Sequence, residues 1–290
     1  MALAKLDLSG SPRILDYGCA KGATLRRMVE ASPNVEPYLF DVTDKYQAYW
    51  ADFPKPAHRA SHRPDPAWSG TLDAVMSFYA LEHIPRLSEV LAEIRALLRP
   101  GGTFYFIVPD MYANWADFIV ADHVNHFSRG SLTVMLERAG FADIAIDETA
   151  HAAAFVVTCK ATGADRRPAA VPGSKAAVDR LVGFWSGART RIAEQERSLD
   201  GEARVAIYGA GIYGNFILSC LARPERVGCF VDQNRFLQGT KLNGIEIVRP
   251  DDAPAGIGAV FVGLNPLNAR RIIASVDSLQ ARGLPFFFLD

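Results

Sequence analysis

The sequence has few cysteines, and none of them falls in a recognisable motif. Its four, Cys19, Cys159, Cys220 and Cys229, are scattered along 290 residues without a C-x-x-C pair. Such pairs hold zinc or carry out thiol redox chemistry, so the sequence supports neither class of site. Isolated thiols are typical of a reducing compartment, and we expect a cytoplasmic protein.

The sequence also has no excess of positive or negative charge. Lys and Arg total 31, Asp and Glu total 32, and the formal net charge is −1. This balance predicts no general attraction to nucleic acid or to an anionic membrane. Long apolar runs are also missing: no stretch approaches the length of a membrane span, and the first residues do not read as a secretory signal.

What the sequence does contain is an alternation of short apolar runs with amphipathic stretches. This order predicts an α/β fold with a mostly parallel sheet. The clearest helix covers Leu87 to Leu98, where apolar residues recur at helical spacing before Pro100. Two later runs, "ADIAIDE" and "AAFVVTCK", are close enough in sequence to pair as an antiparallel hairpin.

Length and composition predict two domains. The stretch "ATGADRRPAAVPGSK" combines glycine, proline and charge without periodicity, and the strand and helix alternation restarts at Arg204. We therefore predict an α/β domain over residues 1–162, a linker and bridging helix over 163–203, and a smaller Rossmann-like α/β domain over 204–290.

The first domain begins with a strand that runs into a glycine turn, "ILDYGCAKG". Glycines let the backbone approach a ligand closely because they have no side chain. The carboxylate of Asp16 beside the turn would repel a pyrophosphate but suits a ligand with an ammonium and a sulfonium group. Charge therefore favours S-adenosylmethionine (SAM), and the alternative is a tight strand-to-helix turn without a ligand.

Two further segments are predicted to meet this turn at the carboxyl edge of the sheet, where open α/β folds bind ligands. Asp41 ends the next strand, where a carboxylate can accept hydrogen bonds from ribose hydroxyls. Adenine recognition stays open, with Asp65 as a weak candidate. The predicted cofactor residues are Asp16, Gly18, Ala20, Gly22, Asp41, Ser77 and Phe78.

These residues, together with "LDAVMSFYALEHI" and "LLRPGGTFYFIVP", resemble class I SAM-dependent methyltransferases over about residues 12 to 160. The resemblance implies a seven-stranded sheet ending in an antiparallel hairpin, with SAM as the cofactor. It also implies in-line transfer of a methyl group from the sulfonium to a nucleophile. Ala20 departs from the family pattern, because many relatives carry glycine there.

Two histidines, His123 and His126, lie in "VADHVNHFSRGSL" after the fifth strand. A neutral imidazole can take a proton near pH 7, and the adjacent Asp122 would favour the imidazolium. Both histidines are therefore catalytic candidates, and the structural alternative is that they only tether the loop.

This segment resembles bacterial sugar C-methyltransferases, whose motif has an acid followed by a catalytic histidine. The match falls on Asp122-His123, so the resemblance implies the base role for His123 alone, and Val120 stands where that family has a tyrosine. The "H-x-x-H-F-S" pattern is also similar to methyltransferases that act on cell-surface glycans.

Glu82 and His83 follow the fourth strand and are predicted to line the acceptor side of the crevice or to support its loop. Together with His123 they would form a metal site only if the two loops converge, which spacing alone cannot show. We predict no metal.

A second glycine turn, "IYGAGIYG", fits G-x-G-x-x-G through Gly209, Gly211 and Gly214, and Asp232 follows about 20 residues later. No acid precedes its first glycine, so phosphate would be tolerated at the helix N-terminus. The domain has room for about half of a six-stranded dinucleotide fold. These four residues are predicted to bind substrate, and the alternative is that the glycines only permit tight packing in a lid or dimerisation domain.

The segment from residue 231 to residue 252 resembles Rossmann-like domains attached to polysaccharide-biosynthesis enzymes and to sugar C-methyltransferases. The latter also have a zinc-binding domain, and no cysteine cluster here corresponds to it. The resemblance predicts a methyltransferase acting on a nucleotide-linked or glycan sugar in polysaccharide or deoxysugar biosynthesis. Alternatives are fusion to an NAD-dependent oxidoreductase-like domain and a noncatalytic nucleotide-binding protein. The sequence does not decide whether the protein forms a homo-oligomer.

Overall fold

The computed structural model describes residues 4–162, 174–199 and 201–290, and the chain divides into two compact units, residues 1–173 and 174–290. Most of the predicted linker, residues 163–173, lies outside the described residues. Each unit is built on its own sheet.

The first unit contains a seven-stranded sheet. Its strands in chain order are β1 Arg13–Tyr17, β2 Glu36–Asp41, β3 His58–Ser61, β4 Leu72–Phe78, β5 Leu98–Pro109, β6 Phe141–Asp147 and β7 Ala154–Ala161. Their order across the sheet is β3-β2-β1-β4-β5-β7-β6. Strands β1 to β5 run parallel, and β7 is antiparallel to both β5 and β6. The predicted fold class, including the terminal hairpin, is confirmed.

The parallel strands are covered on both faces, which explains their continuous apolar runs. In β5, residues 104–108 are all buried. The chain order reverses direction between β1 and β4, which lie side by side. Such a switch point opens a crevice beyond the carboxyl ends of the strands, and this is where ligands bind in open α/β sheets.

Among its described residues, the first unit has four α-helices: α1 Ala23–Ala31, α2 Gln47–Trp50, α3 Leu87–Leu97 and α4 Arg129–Arg138. Helix α3 buries Leu87, Leu91, Ile94 and Leu97, as the apolar spacing predicts, and it ends one residue before the predicted boundary. Among the described residues of the whole chain, no helix has both the length and the apolar character needed to cross a bilayer.

The second unit has a six-stranded sheet. Its strands are β8 Arg204–Tyr208, β9 Val227–Val231, β10 Lys241–Leu242, β11 Ile245–Val248, β12 Ile257–Val262 and β13 Phe286–Phe287. Their order is β10-β11-β9-β8-β12-β13, and every pair except β10 with β11 is parallel. The sheet has more strands than the half fold predicted from length, but β10 and β13 contain only two residues each.

The helices of the second unit are α5 Lys175–Arg197, α6 Ile212–Cys220, α7 Ala269–Ala274 and α8 Asp277–Gln280. Helix α5 differs from the predicted bridging segment, because it is part of this unit. Arg191 Nε donates to the carbonyl of Leu289 at 2.6 Å, and Gln195 Nε2 donates to that of Phe288 at 2.7 Å. The unit boundary therefore falls before the helix rather than after it.

Candidate functional site

The first glycine turn connects β1 to α1 and is held by the neighbouring strand β2. The backbone N–H groups of Gly18 and Cys19 both donate to the carbonyl of Phe40, at 2.9 and 3.0 Å. Gly18 has a φ of +75°, and a Cβ there would lie 3.0 Å from the Cβ of Ala80, just beyond β4. The glycine therefore lets the turn adopt a left-handed conformation close to the segment after β4.

Ala20 also adopts a left-handed conformation, with a φ of +45°. An L-residue pays about 1 kcal/mol for this backbone region, which explains why many relatives have glycine there. The conformation aims the Ala20 N–H at Asp41 Oδ2, at 2.9 Å, and the Ala20 carbonyl accepts from Trp50 Nε1 at 2.7 Å. The turn is thus fixed by hydrogen bonds on both sides of this residue.

Asp41, predicted to bind ribose, also organises the turn. It is 6% exposed, and its second oxygen accepts from the N–H of Thr43 at 3.2 Å. Each carboxylate oxygen can accept more than one hydrogen bond, so these contacts leave acceptor capacity at the edge of the sheet. Asp65, the weak adenine candidate, accepts from Ala67 N at 2.9 Å and caps the 3₁₀ turn Pro66–Trp68.

Asp16 is not an open surface anion as the charge argument assumes, since it is only 2% exposed. Burial raises the pKa of its carboxyl to about 7, and the charge of Asp41 adds to the increase. A hydrogen bond from the Leu25 backbone in α1 acts in the opposite direction. Near pH 7 a nearby cation would therefore shift Asp16 towards its ionised form.

Ser77 and Phe78 end β4 at the same edge. Met76 pairs in register with Asp16, so Ser77 lies one residue further towards the crevice. Ser77 is fully buried, and its Oγ has no hydrogen-bond partner among the described residues. An unpaired buried hydroxyl costs about 1–3 kcal/mol, so this atom has unused hydrogen-bonding capacity near the edge of the sheet.

The two catalytic candidates meet at a residue that sequence reasoning missed. Asp117 lies in the 3₁₀ turn Trp115–Ile119 after β5 and is 1% exposed. Its Oδ1 is 2.6 Å from His123 Nδ1, and its Oδ2 is 2.8 Å from His126 Nδ1. One buried carboxylate therefore orients both imidazoles and leaves the Nε2 atom of each ring for other contacts.

The carboxylate beside His123 is thus different from the predicted one. The Asp122 side chain is 76% exposed, and its Oδ2 lies 3.3 Å from His83 Nδ1. Consecutive side chains leave the backbone in different directions, so neighbours in sequence need not be partners. Asp117 reaches His123 because the chain turns back on itself between them.

Backbone hydrogen bonds join the loops after β4 and β5. The Glu82 carbonyl accepts from the N–H groups of Val124 and Asn125, at 2.9 and 3.1 Å. Asn125 Nδ2 donates to the carbonyls of Leu81 and Ile84, at 3.0 and 2.7 Å. The structure therefore brings together four predicted site residues from these two loops: Glu82, His83, His123 and His126.

In the second glycine turn, close packing against backbone atoms accounts for two of the three glycines. A Cβ on Gly214 would overlap the carbonyl oxygen of Gly209, and a Cβ on Gly209, whose φ is +97°, would overlap that of Gly263. Gly211 is different, because no described atom lies within 4 Å of where its Cβ would be. Asp232 accepts from Ala210 N at 2.8 Å. These contacts favour the packing interpretation for two of the three glycines.

Comparison with known proteins agrees with the topology of the first unit. The family model described as "Methyltransferase domain" matches residues 2–146. The C-methyltransferase NovU of Streptomyces niveus is 29% identical over an alignment of 193 residues, and the match covers 59% of this chain and 46% of NovU. The chain therefore spans about half the length of this curated relative.

Two solved structures are also similar. A SAM-dependent methyltransferase from Mesorhizobium loti is 21% identical, and the match covers 55% of this chain and 94% of that one with a TM-score of 0.44. Human N-acetylserotonin methyltransferase in complex with SAM is 18% identical, with 55% of this chain and 50% of that one covered and a TM-score of 0.45.

Proposed function

The chain belongs to the methyltransferase domain family, and from that membership we propose that the whole protein transfers a methyl group from SAM to a carbon atom of a sugar, with His126 as the general base. The first unit is a class I SAM-dependent methyltransferase domain. The sugar is proposed as nucleotide-linked or part of a glycan, in polysaccharide or deoxysugar biosynthesis. This acceptor class is supported by the resemblance of residues 120–132 and 231–252 to sugar methyltransferases.

The residues at the switch point fit SAM. The turn has left-handed backbone at Gly18, Ala20 and Gly22, and the hydroxyl of Ser77 has no partner among the described residues. Asp16 would favour a cationic ligand in its ionised form. We propose that these residues hold SAM together with Asp41 and Phe78.

The observation that carries the assignment of a base is the pair of histidines on Asp117. When Nδ1 donates to a carboxylate, the neutral imidazole has its lone pair on Nε2, where it can accept a proton. The His126 side chain is 26% exposed and that of His123 is 13% exposed, so His126 is more accessible to a substrate.

The proposed acceptor is a keto sugar, a choice supported by the name of the relative NovU, a C-methyltransferase. Nε2 of His126 takes a proton from the carbon next to the carbonyl, and the electron pair left on that carbon becomes the nucleophile. Asp117 stabilises the resulting imidazolium through its hydrogen bond to Nδ1. When bound, SAM supplies an electrophilic methyl group whose bond to sulfur breaks with its electron pair staying on sulfur.

The test is an assay of the full chain with SAM labelled with ¹³C in the methyl group. A panel of nucleotide-linked keto sugars and hydroxyl-bearing glycans serves as acceptors, and two-dimensional NMR shows whether the new methyl is bonded to carbon or to oxygen. We expect a carbon-bound methyl on a keto sugar. Methyl on oxygen would overturn the carbon assignment, and SAM binding without any transfer would support the noncatalytic alternative.

The base is tested with His126→Asn. Asparagine can still donate to Asp117 through its amide but has no atom that can act as the base, so we expect turnover to fall by about 100-fold or more with SAM affinity unchanged. His58→Asn is the matched control, because His58 pairs with Glu36 at 3.0 Å on strands β2 and β3. Full turnover by His126→Asn would remove His126 as the base.

A further inference from the structure

The side chain of Glu82 is buried, and one of its carboxylate oxygens has no hydrogen-bond donor among the described residues. It is 1% exposed, and no described donor reaches its Oε2. A buried carboxylate oxygen without a partner is costly, so it needs either a proton or a cation beside it.

Two imidazoles lie next to this carboxylate. A carboxylate oxygen of Glu82 and one ring nitrogen from each of His83 and His123 all lie within 4.8 Å of one another. The two rings are in contact, with centroids 4.7 Å apart and planes at 81°. The joined loops after β4 and β5 therefore place three potential metal ligands around a common point.

In both histidines Nδ1 already contacts an oxygen atom, which leaves Nε2 as the nitrogen that could bind a metal. His123 Nδ1 is 2.6 Å from Asp117 Oδ1, and His83 Nδ1 is 3.1 Å from the carbonyl oxygen of Asp122. In each ring this contact favours the tautomer whose lone pair is on Nε2. Metal-bound histidines almost always make such a contact to an oxygen with their second nitrogen, because it fixes the tautomer and the ring plane.

We propose that Glu82, His83 and His123 bind one divalent transition-metal cation. Two imidazoles and one carboxylate are a set that suits Zn²⁺, Co²⁺ and Ni²⁺ better than Mg²⁺, which prefers oxygen ligands. Ligand distances of about 2.1 Å in a tetrahedral site separate the ligand atoms by about 3.4 Å, so binding needs a small inward rotation of these side chains. The cation would also satisfy the unpaired oxygen of Glu82.

Three protein ligands leave at least one coordination position of such a cation open. His126 is not part of the ligand set, and it shares Asp117 with His123. Metal binding can be measured in the absence of both SAM and a sugar, so failure of the metal proposal is distinguishable from failure of the proposed methylation.

The test is calorimetric titration of Zn²⁺ into the full chain after treatment with a chelator. We expect one equivalent to bind, with affinity lowered at least 10-fold by Glu82→Gln and by His123→Asn. His126→Asn and His58→Asn are the matched histidine controls and should bind Zn²⁺ like the wild type. Equal affinity of the wild type and Glu82→Gln, or no binding by the wild type, would overturn the proposal.

Co²⁺ provides a second measurement, because its visible absorption reports ligand type and geometry. We expect bands of a site with nitrogen and oxygen ligands, without the near-ultraviolet charge transfer of a thiolate. A thiolate signal would place the metal at a cysteine and contradict the proposed ligands. Thermal unfolding of each variant shows whether it is folded, and if Glu82→Gln is not, His123→Asn and His83→Asn decide the question.

Discussion

Equivalent hydrogen bonds hold the two glycine turns, although the turns belong to different units. In each, the first glycine, Gly18 or Gly209, donates its N–H to the residue that precedes an aspartate, at 2.9 and 2.7 Å. That aspartate, Asp41 or Asp232, then accepts an N–H from the turn, at 2.9 and 2.8 Å. An aspartate at the end of the second strand thus has a structural role in both turns, whether or not a ribose is bound.

The turns differ in the space around their glycines. In the second turn Gly214 packs directly on the carbonyl of Gly209, so the helix begins close to the strand. In the first turn Gly22 is the N-cap of α1, in a left-handed conformation, and the turn is longer. A glycine pattern in a sequence therefore does not distinguish a ligand site from close packing of helix on strand.

The strands before the turns differ at one position. "RILDYG" and "RVAIYG" place Asp16 and Ile207 at the same distance from the first glycine, and both residues are buried. An isoleucine has no charge to balance, whereas the buried Asp16 has a raised pKa. This difference places a carboxyl with a raised pKa beside the first turn and an uncharged side chain at the equivalent position of the second.

The largest effect is expected from Asp16→Asn. The folded pKa of about 7 is above the ordinary value of 3.8, so the folded state binds the proton more tightly, and wild-type stability falls as pH rises from about 4 to about 7. Asparagine cannot ionise and can still accept from the Leu25 N–H. We expect the variant to gain up to about 4 kcal/mol over the wild type at pH 8 and little at pH 4, measured by denaturant unfolding.

SAM affinity gives the complementary measurement. A cation favours ionised Asp16, so wild-type affinity for SAM, measured by calorimetry, should rise from pH 6 to pH 8 and should be weaker and insensitive to pH in Asp16→Asn. Equal affinity of the two proteins at pH 8 would show that Asp16 does not serve the ligand.

The next effect is expected from Gly214→Ala. Its Cβ would overlap the backbone of Gly209, which cannot move aside as a flexible side chain could, so we expect a loss of about 3 kcal/mol in stability of the second unit. Gly211→Ala is the matched control and should change stability by less than about 1 kcal/mol, because the space there is open. Similar unfolding of the two variants would contradict the packing role of Gly214.

Local patterns were sufficient to predict the α/β class of both units and several of their elements. Helix α3 follows from apolar residues at helical spacing and from Pro100, and the β6–β7 hairpin follows from two runs close in sequence. The sequence predicts α5 as a bridging segment, whereas the structure groups it with the second unit, with Leu181, Phe184 and Ile192 on its buried face. Apolar spacing shows that a helix packs on something but does not show which unit it packs on.

The site was predictable only in part, because its geometry depends on the paths of loops. His123 and His126 stand out by residue type, but Asp117 precedes them by six and nine residues, with no periodic pattern to join them. Asn125, which joins the loops after β4 and β5, looks like an ordinary loop residue in the sequence. Contacts between two loops follow from tertiary structure, which spacing along one chain does not encode.

The smallest effect is expected from glycine substitutions at Ala20 and Ala210, whose N–H groups donate to the equivalent aspartates of the two turns. Ala20 has a φ of +45°, so Ala20→Gly removes about 1 kcal/mol of backbone strain and offsets the entropy that glycine adds to the unfolded chain. Ala210 is not in that conformation, so Ala210→Gly should destabilise by about 0.5–1 kcal/mol. We expect little change in the unfolding midpoint of Ala20→Gly and a lower midpoint for Ala210→Gly. An equal decrease in both variants would mean that the first turn is not strained, and the departure from glycine at Ala20 would then need a cause other than backbone conformation.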